Sequence, residues 1–123
     1  MIDALASADA LLASQKIAAG EVIGLPTETV YGLAADAQNP EAVARIFALK
    51  NRPTSHPLIT HIAADADIHY WLDDARMTVE MSDLMDTLIE AFWPGPLTLV
   101  LPKSPAINDA VTGGQDTIAL RCP

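Results

Sequence analysis

The chain alternates stretches in which apolar residues recur every three or four positions with shorter, β-branched and aliphatic runs. That alternation predicts helices interleaved with strands, an α/β domain. The strongest helix spans Thr78 to Phe92, where Met81, Leu84, Met85, Leu88, Ile89 and Phe92 follow the three-and-four pattern with acids opposite. A second starts at Asn39-Pro40, a capping side chain followed by proline at the first helical position, and runs to Lys50. Its apolar stripe is Val43, Ile46 and Phe47. Residues 7–19 predict a third, Ala-rich helix with Ser7 as N-cap, Gly20 just past its end, and Leu11, Leu12 and Ile17 on its buried side.

Strands are expected at Glu21–Leu25, Pro57–Ile62, Leu97–Leu101 and Thr117–Arg121. Alternation puts Leu58, Thr60 and Ile62 opposite Ile59 and His61. It likewise puts Ile118 and Leu120 opposite Thr117, Ala119 and Arg121. Trp93-Pro94-Gly95-Pro96 stops the long helix, and residues 102–116 read as loop. Asp65-Ala66-Asp67 caps a helical turn, and no cluster there has zinc spacing.

Composition narrows the classes. At 123 residues, half of them hydrophobic, the chain is expected to be one domain with a real core. No apolar run reaches bilayer length, since Pro94 and Pro96 break the longest. The amino-terminal residues carry Asp3 and no basic cluster, so a secretory signal is not supported. One cysteine, Cys122, excludes an internal disulfide framework and fits a reducing compartment, so a cytoplasmic location is expected. Seven Lys and Arg against sixteen acids give a net charge of −9, which disfavours direct nucleic-acid binding by this acidic chain. Yet Arg45, Lys50 and Arg52 fall within eight residues, as a local anion site would require.

The densest chemistry lies in Pro26-Thr27-Glu28-Thr29-Val30-Tyr31-Gly32-Leu33. Proline ends the preceding strand, Gly32 adds freedom, and hydroxyls, a carboxylate and a phenol lie between them. Such a segment is either a binding loop carried on a scaffold or an ordinary loop whose hydroxyls satisfy their own backbone. Lys50 and Arg52 flank one constrained turn, although Lys50 also complements a helix C-terminus. A histidine in a strand, His61, is more often structural than functional. Arg121, ending a buried strand before a proline, needs an anion or an acceptor, and a structural salt bridge would serve equally.

The octet resembles the signature of the YrdC/TsaC-like family of threonylcarbamoyl-adenylate synthases. Lys50-Asn51-Arg52-Pro53, His56-Pro57-Leu58, Trp93-Pro94-Gly95-Pro96-Leu97-Thr98 and Ala119-Leu120-Arg121-Cys122-Pro123 match further family motifs, in family order. The resemblance implies a twisted mixed β-sheet flanked by helices with an open cavity, walled in part by the Trp93–Thr98 segment. It implies formation of threonylcarbamoyl-adenylate and pyrophosphate from L-threonine, bicarbonate or carbon dioxide, and ATP with Mg²⁺. The product would feed partner proteins that threonylcarbamoylate a tRNA adenosine. By the same resemblance Lys50 and Arg52 are the catalytic, ATP-binding cations, and Thr29, Tyr31, His61 and Arg121 surround threonine. No protein metal ligand and no covalent nucleophile is implied.

The family continues past Arg121-Cys122-Pro123 to a Ser-x-Asn motif near the nucleotide. The chain is therefore expected to be the amino-terminal part of the domain, incomplete at its C-terminus and impaired in ATP binding and turnover. Two rivals stand beside the synthase. One is a related carbamoyltransferase domain, whose zinc-finger and acylphosphatase-like companions are not seen in this sequence. The other is a non-catalytic paralogue that binds RNA or a partner protein.

Overall fold

The computed structural model describes residues 7–26 and 31–123. The chain divides into two units, Met1–Thr54 and Ser55–Pro123, and each is described by itself.

In the first unit, helix α1 (Ser7–Ala18) ends on Gly20, whose φ of +84° only glycine adopts without strain. The Gly20 N–H donates to Ile17 O and the Glu21 N–H to Lys16 O, the paired bonds that close a helix on a left-handed residue. The first strand therefore begins later than its sequence suggests. Glu21 spends its N–H on the helix end, and β1 runs Ile23–Pro26. The predicted face of α1 is also corrected. Leu11 is 60% exposed and Leu12 is exposed too, whereas Ala13 and Gly20 are buried and Ile17 half-buried. Positions 13, 17 and 20 share one side of a helix, and that side is the covered one. The side chain of Ser7 lies outside the described residues.

Strand β2 (Tyr31–Ala34) was not expected from its pattern. It pairs antiparallel with β1 in the register Ile23↔Ala34, Gly24↔Leu33, Leu25↔Gly32, Pro26↔Tyr31. Gly32 and Ala34 leave no apolar alternation to read, so pairing defines this strand where propensity does not.

Helix α2 (Pro40–Lys50) matches its sequence expectation at both ends. The Asn39 side chain accepts from the N–H groups of Glu41 and Ala42, satisfying two of the donors that a helix start leaves open. Val43, Ile46 and Phe47 are buried, each worth about 1.5–3 kcal/mol relative to exposure.

The second unit is organised by a three-stranded mixed sheet in the order β3-β5-β4. Strand β3 (Ile59–His61) lies parallel to β5 (Thr117–Arg121), and β4 (Leu99–Pro102) lies antiparallel to it. Both outer strands are offset from expectation because neighbouring groups claim their backbone. Pro57 has no N–H, and the Leu58 N–H goes to Val111 O at 2.8 Å, so β3 starts at Ile59. Leu97 O accepts the Trp93 indole N–H at 2.8 Å, and β4 starts at Leu99. β5 has the predicted bounds and the predicted alternation, with Ile118 and Leu120 fully buried.

Helix α3 (Val79–Phe92) is capped by Thr78, whose hydroxyl accepts from the Met81 N–H. Met85 is buried and Met81, Leu88 and Ile89 are partly covered, but Leu84 and Phe92 are exposed, against the predicted stripe. A full set of apolar spacings thus overstates the face that is covered. Before α3, two 3₁₀ turns are capped by Asp67 and Asp73, so the expected helical turn after Asp65-Ala66-Asp67 is present.

The segment joining β4 to β5 is held by two cations. Lys103 Nζ, on a residue only 8% exposed, donates to Ile107 O at 2.7 Å and Ser104 O at 3.2 Å, and lies 3.1 Å from Asp109 Oδ1. Arg76 bonds both carbonyls at the mouth of that segment, Asp116 O at 2.7 Å and Lys103 O at 3.3 Å, besides the carboxylates of Asp73 and Asp116. Neither role was visible in the sequence, because Arg76 depends on carbonyls 27 and 40 residues away and Lys103 on the irregular fold of the loop that follows it.

Candidate functional site

The first candidate group is built at the C-terminus of α2. Lys50 is its last residue and Asn51 follows in the left-handed conformation, φ 52° and ψ 43°. The Asn51 N–H reaches Ala48 O at 3.2 Å, and the Arg52 N–H reaches Phe47 O at 3.0 Å. Phe47 is a core residue, so the turn carrying both cations is tied to a buried part of the helix. Asparagine tolerates this backbone better than most non-glycine residues. Backbone bonds thus set the two positions that carry Lys50 and Arg52, and both residues are exposed.

A helix C-terminus carries about −0.5 elementary charge and by itself repels anions. Two cationic side chains outweigh it and make the turn an anion-attracting feature. Arg45 does not join them. Its Nη1 donates to Gly20 O at 3.1 Å, fastening α2 to the end of α1. Of the three cations clustered in the sequence, Arg45 is therefore engaged structurally, and Lys50 and Arg52 are the two carried on the turn.

Tyr31, in the same unit, occupies the first position of β2 opposite Pro26. Thr29 lies outside the described residues.

The second candidate group lies on one face of the β3-β5-β4 sheet. In the parallel ladder His61 is the register partner of Arg121. In the antiparallel ladder Leu99 pairs with Leu120, so the next position back, Thr98, falls opposite Arg121. The side chains confirm this, for Arg121 Nε donates to Thr98 Oγ1 at 3.0 Å. His61, Arg121 and Thr98 thus form one row across three strands. Ile59, Ala119 and Val100 form the adjacent row on that face, and Ile59 and Val100 are exposed. Thr60, Leu120 and Leu99 occupy the opposite, buried face. The sheet therefore has one side given to the core and one side presenting a cation, an imidazole and a hydroxyl.

The segment leading into β3 is fixed from the other end of the unit. Besides the bond from Leu58 to Val111, Gly113 passes so close to Ser55 that an added Cβ would lie 2.4 Å from Ser55 O. Gly113 has φ +63°, and Thr112, its neighbour, is buried with its hydroxyl donating within the same loop. His56-Pro57-Leu58 is thereby braced against the β4–β5 connection.

The sequence had singled out both groups but missed their supports. Asn51 was legible as part of the Lys50–Pro53 motif, and Thr98 as the end of the Trp93–Thr98 motif, without any sign of what each holds. Among the described residues, no group of three His, Cys, Asp or Glu side chains could hold a metal ion. No described helix is long and apolar enough to cross a membrane.

A mixed α/β chain presenting a cation-bearing turn and an arginine-bearing sheet face is a scaffold suited to anionic ligands. Residues 15–123 match the Sua5/YciO/YrdC sequence family, described as telomere recombination, and the chain belongs to that family. It is similar to the threonylcarbamoyl-AMP synthase of Pyrococcus abyssi, at 45% identity over 112 residues, covering 91% of this chain and 31% of the relative. It is also similar to the threonylcarbamoyl-AMP synthase of Bacillus subtilis, at 48% identity over 104 residues, 84% of this chain and 28% of the relative. The crystal structure of P. abyssi Sua5 complexed with L-threonine superposes with a TM-score of 0.84 at 43% identity, covering 94% of this chain and 32% of that one. The chain spans about a third of the length of these relatives.

Proposed function

We propose that this chain carries the substrate-binding groups of an L-threonylcarbamoyladenylate synthase, a nucleotidyltransferase of tRNA threonylcarbamoyladenosine formation. The observation that carries the reading is the locked Lys50-Asn51-Arg52 turn, in a chain 45% identical to a threonylcarbamoyl-AMP synthase.

The reaction sets an electrostatic problem. The amine of threonine adds to carbon dioxide with loss of a proton, or condenses with bicarbonate with loss of water, to give a carbamate. A carbamate oxygen then attacks the α-phosphorus of ATP. The bond from that phosphorus to the β-phosphate oxygen breaks, and pyrophosphate leaves. An anion must therefore approach a polyanion. Fixed cations offset the repulsion, and alignment of the reactants supplies much of the remaining acceleration.

In this reading Lys50 and Arg52 hold the triphosphate. Arg121 meets the threonine carboxylate with a two-point contact. His61, with Thr29 and Tyr31, fixes the threonine side chain and the carbamate. Mg²⁺ would enter with ATP and supply neutralisation of phosphate charge there. The reaction in this reading needs no protein nucleophile, and Cys122 is buried. The product would pass to proteins that transfer the threonylcarbamoyl group to tRNA, in the cytoplasm.

The test is release of pyrophosphate from ATP that requires both L-threonine and bicarbonate. Release independent of threonine, or binding of RNA with no turnover of ATP, would replace this reading with another.

A further inference from the structure

We propose that Thr98 is a positioning residue for Arg121, orienting its guanidinium toward the amino-acid carboxylate. The proposal rests on the reading above that Arg121 binds threonine.

An arginine at a strand end carries several rotatable bonds, so its plane is ill-defined unless something fixes it. Here the Nε–H is committed to Thr98 Oγ1 at 3.0 Å, with both residues half-buried. A two-point contact with a carboxylate is then confined to the Nη1/Nη2 edge, and the approach of the amino acid is set with it.

Thr98 is suited to this task because its own place is over-determined. Trp93 Nε1 bonds Leu97 O at 2.8 Å, immediately before it. The Gly95 N–H bonds Cys122 O at 2.7 Å, tying the approach to β4 to the residue after Arg121. The β4–β5 ladder begins at Leu99, immediately after it. A β-branched side chain on so constrained a backbone has few χ1 choices. The acceptor oxygen is thus held as part of the sheet, and Arg121 is aimed by it.

Calorimetric titration of the intact protein with L-threonine, and separately with ATP, tests this in Thr98→Val, Thr98→Ser, Arg121→Ala and the Thr98→Val/Arg121→Ala pair. Valine keeps the shape and removes the oxygen, whereas serine keeps the oxygen. Thr98→Val is expected to weaken threonine binding about tenfold, the effect of one hydrogen bond to a charged group, with ATP binding unchanged. Thr98→Ser is expected to stay within about twofold of the parent, and Thr98→Val to add nothing once Arg121 is alanine. Equal losses in the valine and serine variants, or no loss with valine, would overturn the positioning role while leaving Arg121 as the carboxylate ligand. No loss with Arg121→Ala would overturn the reading of Arg121 itself, and this proposal with it.

Discussion

His61 and Arg121 are register partners on two parallel strands that are far apart in sequence, so an imidazole and a guanidinium stand side by side on the same sheet face. A parallel pairing of this kind is invisible to local pattern. Arg121→Lys keeps a positive charge but loses the planar fork, and is expected to recover only part of the threonine binding lost in Arg121→Ala. The alanine variant is expected to weaken threonine binding by about 10–100-fold, from the loss of charge-assisted hydrogen bonds. Equilibrium titration with threonine checks both.

The Lys50/Arg52 pair yields a separable prediction. Lys50→Ala and Arg52→Ala are each expected to weaken ATP binding about tenfold or more and leave threonine binding nearly unchanged, since each removes one charge-assisted contact. Asn51→Gly is expected to preserve both stability and ATP binding because glycine accepts the left-handed backbone. Asn51→Val is expected to cost about 1–2 kcal/mol or more of stability. Thermal unfolding and ATP titration of the four variants decide the matter.

Two neighbouring glycines separate backbone strain from steric clash. Gly114 has φ +81° with open space where a Cβ would sit, so Gly114→Ala is expected to cost about 1–2 kcal/mol from conformation alone. Gly113 shares the positive φ, but its Cβ would collide with the backbone of Ser55, so Gly113→Ala is expected to cost clearly more. Because Gly113 braces the segment before β3, its loss should also broaden the His56 and His61 signals in NMR spectra. Urea unfolding ranks the two variants, and an equal cost would contradict the close approach.

Lys103→Met retains most of the buried stem and removes the ammonium that joins Ile107 O, Ser104 O and Asp109. Asp109 is 70% exposed and returns to water, so the penalty comes chiefly from the abandoned carbonyls. The expected loss is about 1–3 kcal/mol in denaturant unfolding. Asp109→Asn should cost much less, as an exposed carboxylate contributes little to such a pair.

His69 gives a pH dependence of defined sign. Its Nδ1 lies 2.9 Å from Asp74 Oδ1, and that hydrogen bond raises its pKa above the ordinary 6.5, against a smaller opposing effect of burial and with further help from the charges of Asp74, Asp67 and Asp86. A raised folded-state pKa means the pair's stabilisation is fully present below 6.5 and fades as pH rises through the folded value. Both groups are largely exposed, which limits the effect to about 0.5 kcal/mol. Asp74→Asn is expected to lower the His69 midpoint in an NMR titration, and an unchanged midpoint would remove this account.

Sequence reading went furthest where one segment determines its own structure. Helix α2, with Asn39-Pro40 at one end and Val43, Ile46 and Phe47 inside, follows from local capping and periodicity. So do the alternation of β5 and the abrupt end of α3. It fell short where a distant partner decides the outcome. Glu21, Leu58 and Leu97 stay out of their expected strands because Lys16, Val111 and Trp93 claim their backbone groups. Strand β2 exists through pairing with β1, and Leu11, Leu84 and Phe92 lie on faces that periodicity alone assigned to the core. Of the candidate site, Lys50, Arg52, His61 and Arg121 were legible as residues. The alignment of His61, Arg121 and Thr98 in one row required the register of two ladders.

The hydrogen bonds that close helix α2 run between main-chain atoms, so dissolved salt has little hold on the two backbone positions that carry Lys50 and Arg52. In the proposed role of this turn, rising ionic strength is expected to thin the long-range pull on a polyphosphate while the backbone that carries the cations stays as it was. Capture should slow as electrolyte is added, yet the complex, once formed, should keep the same contacts.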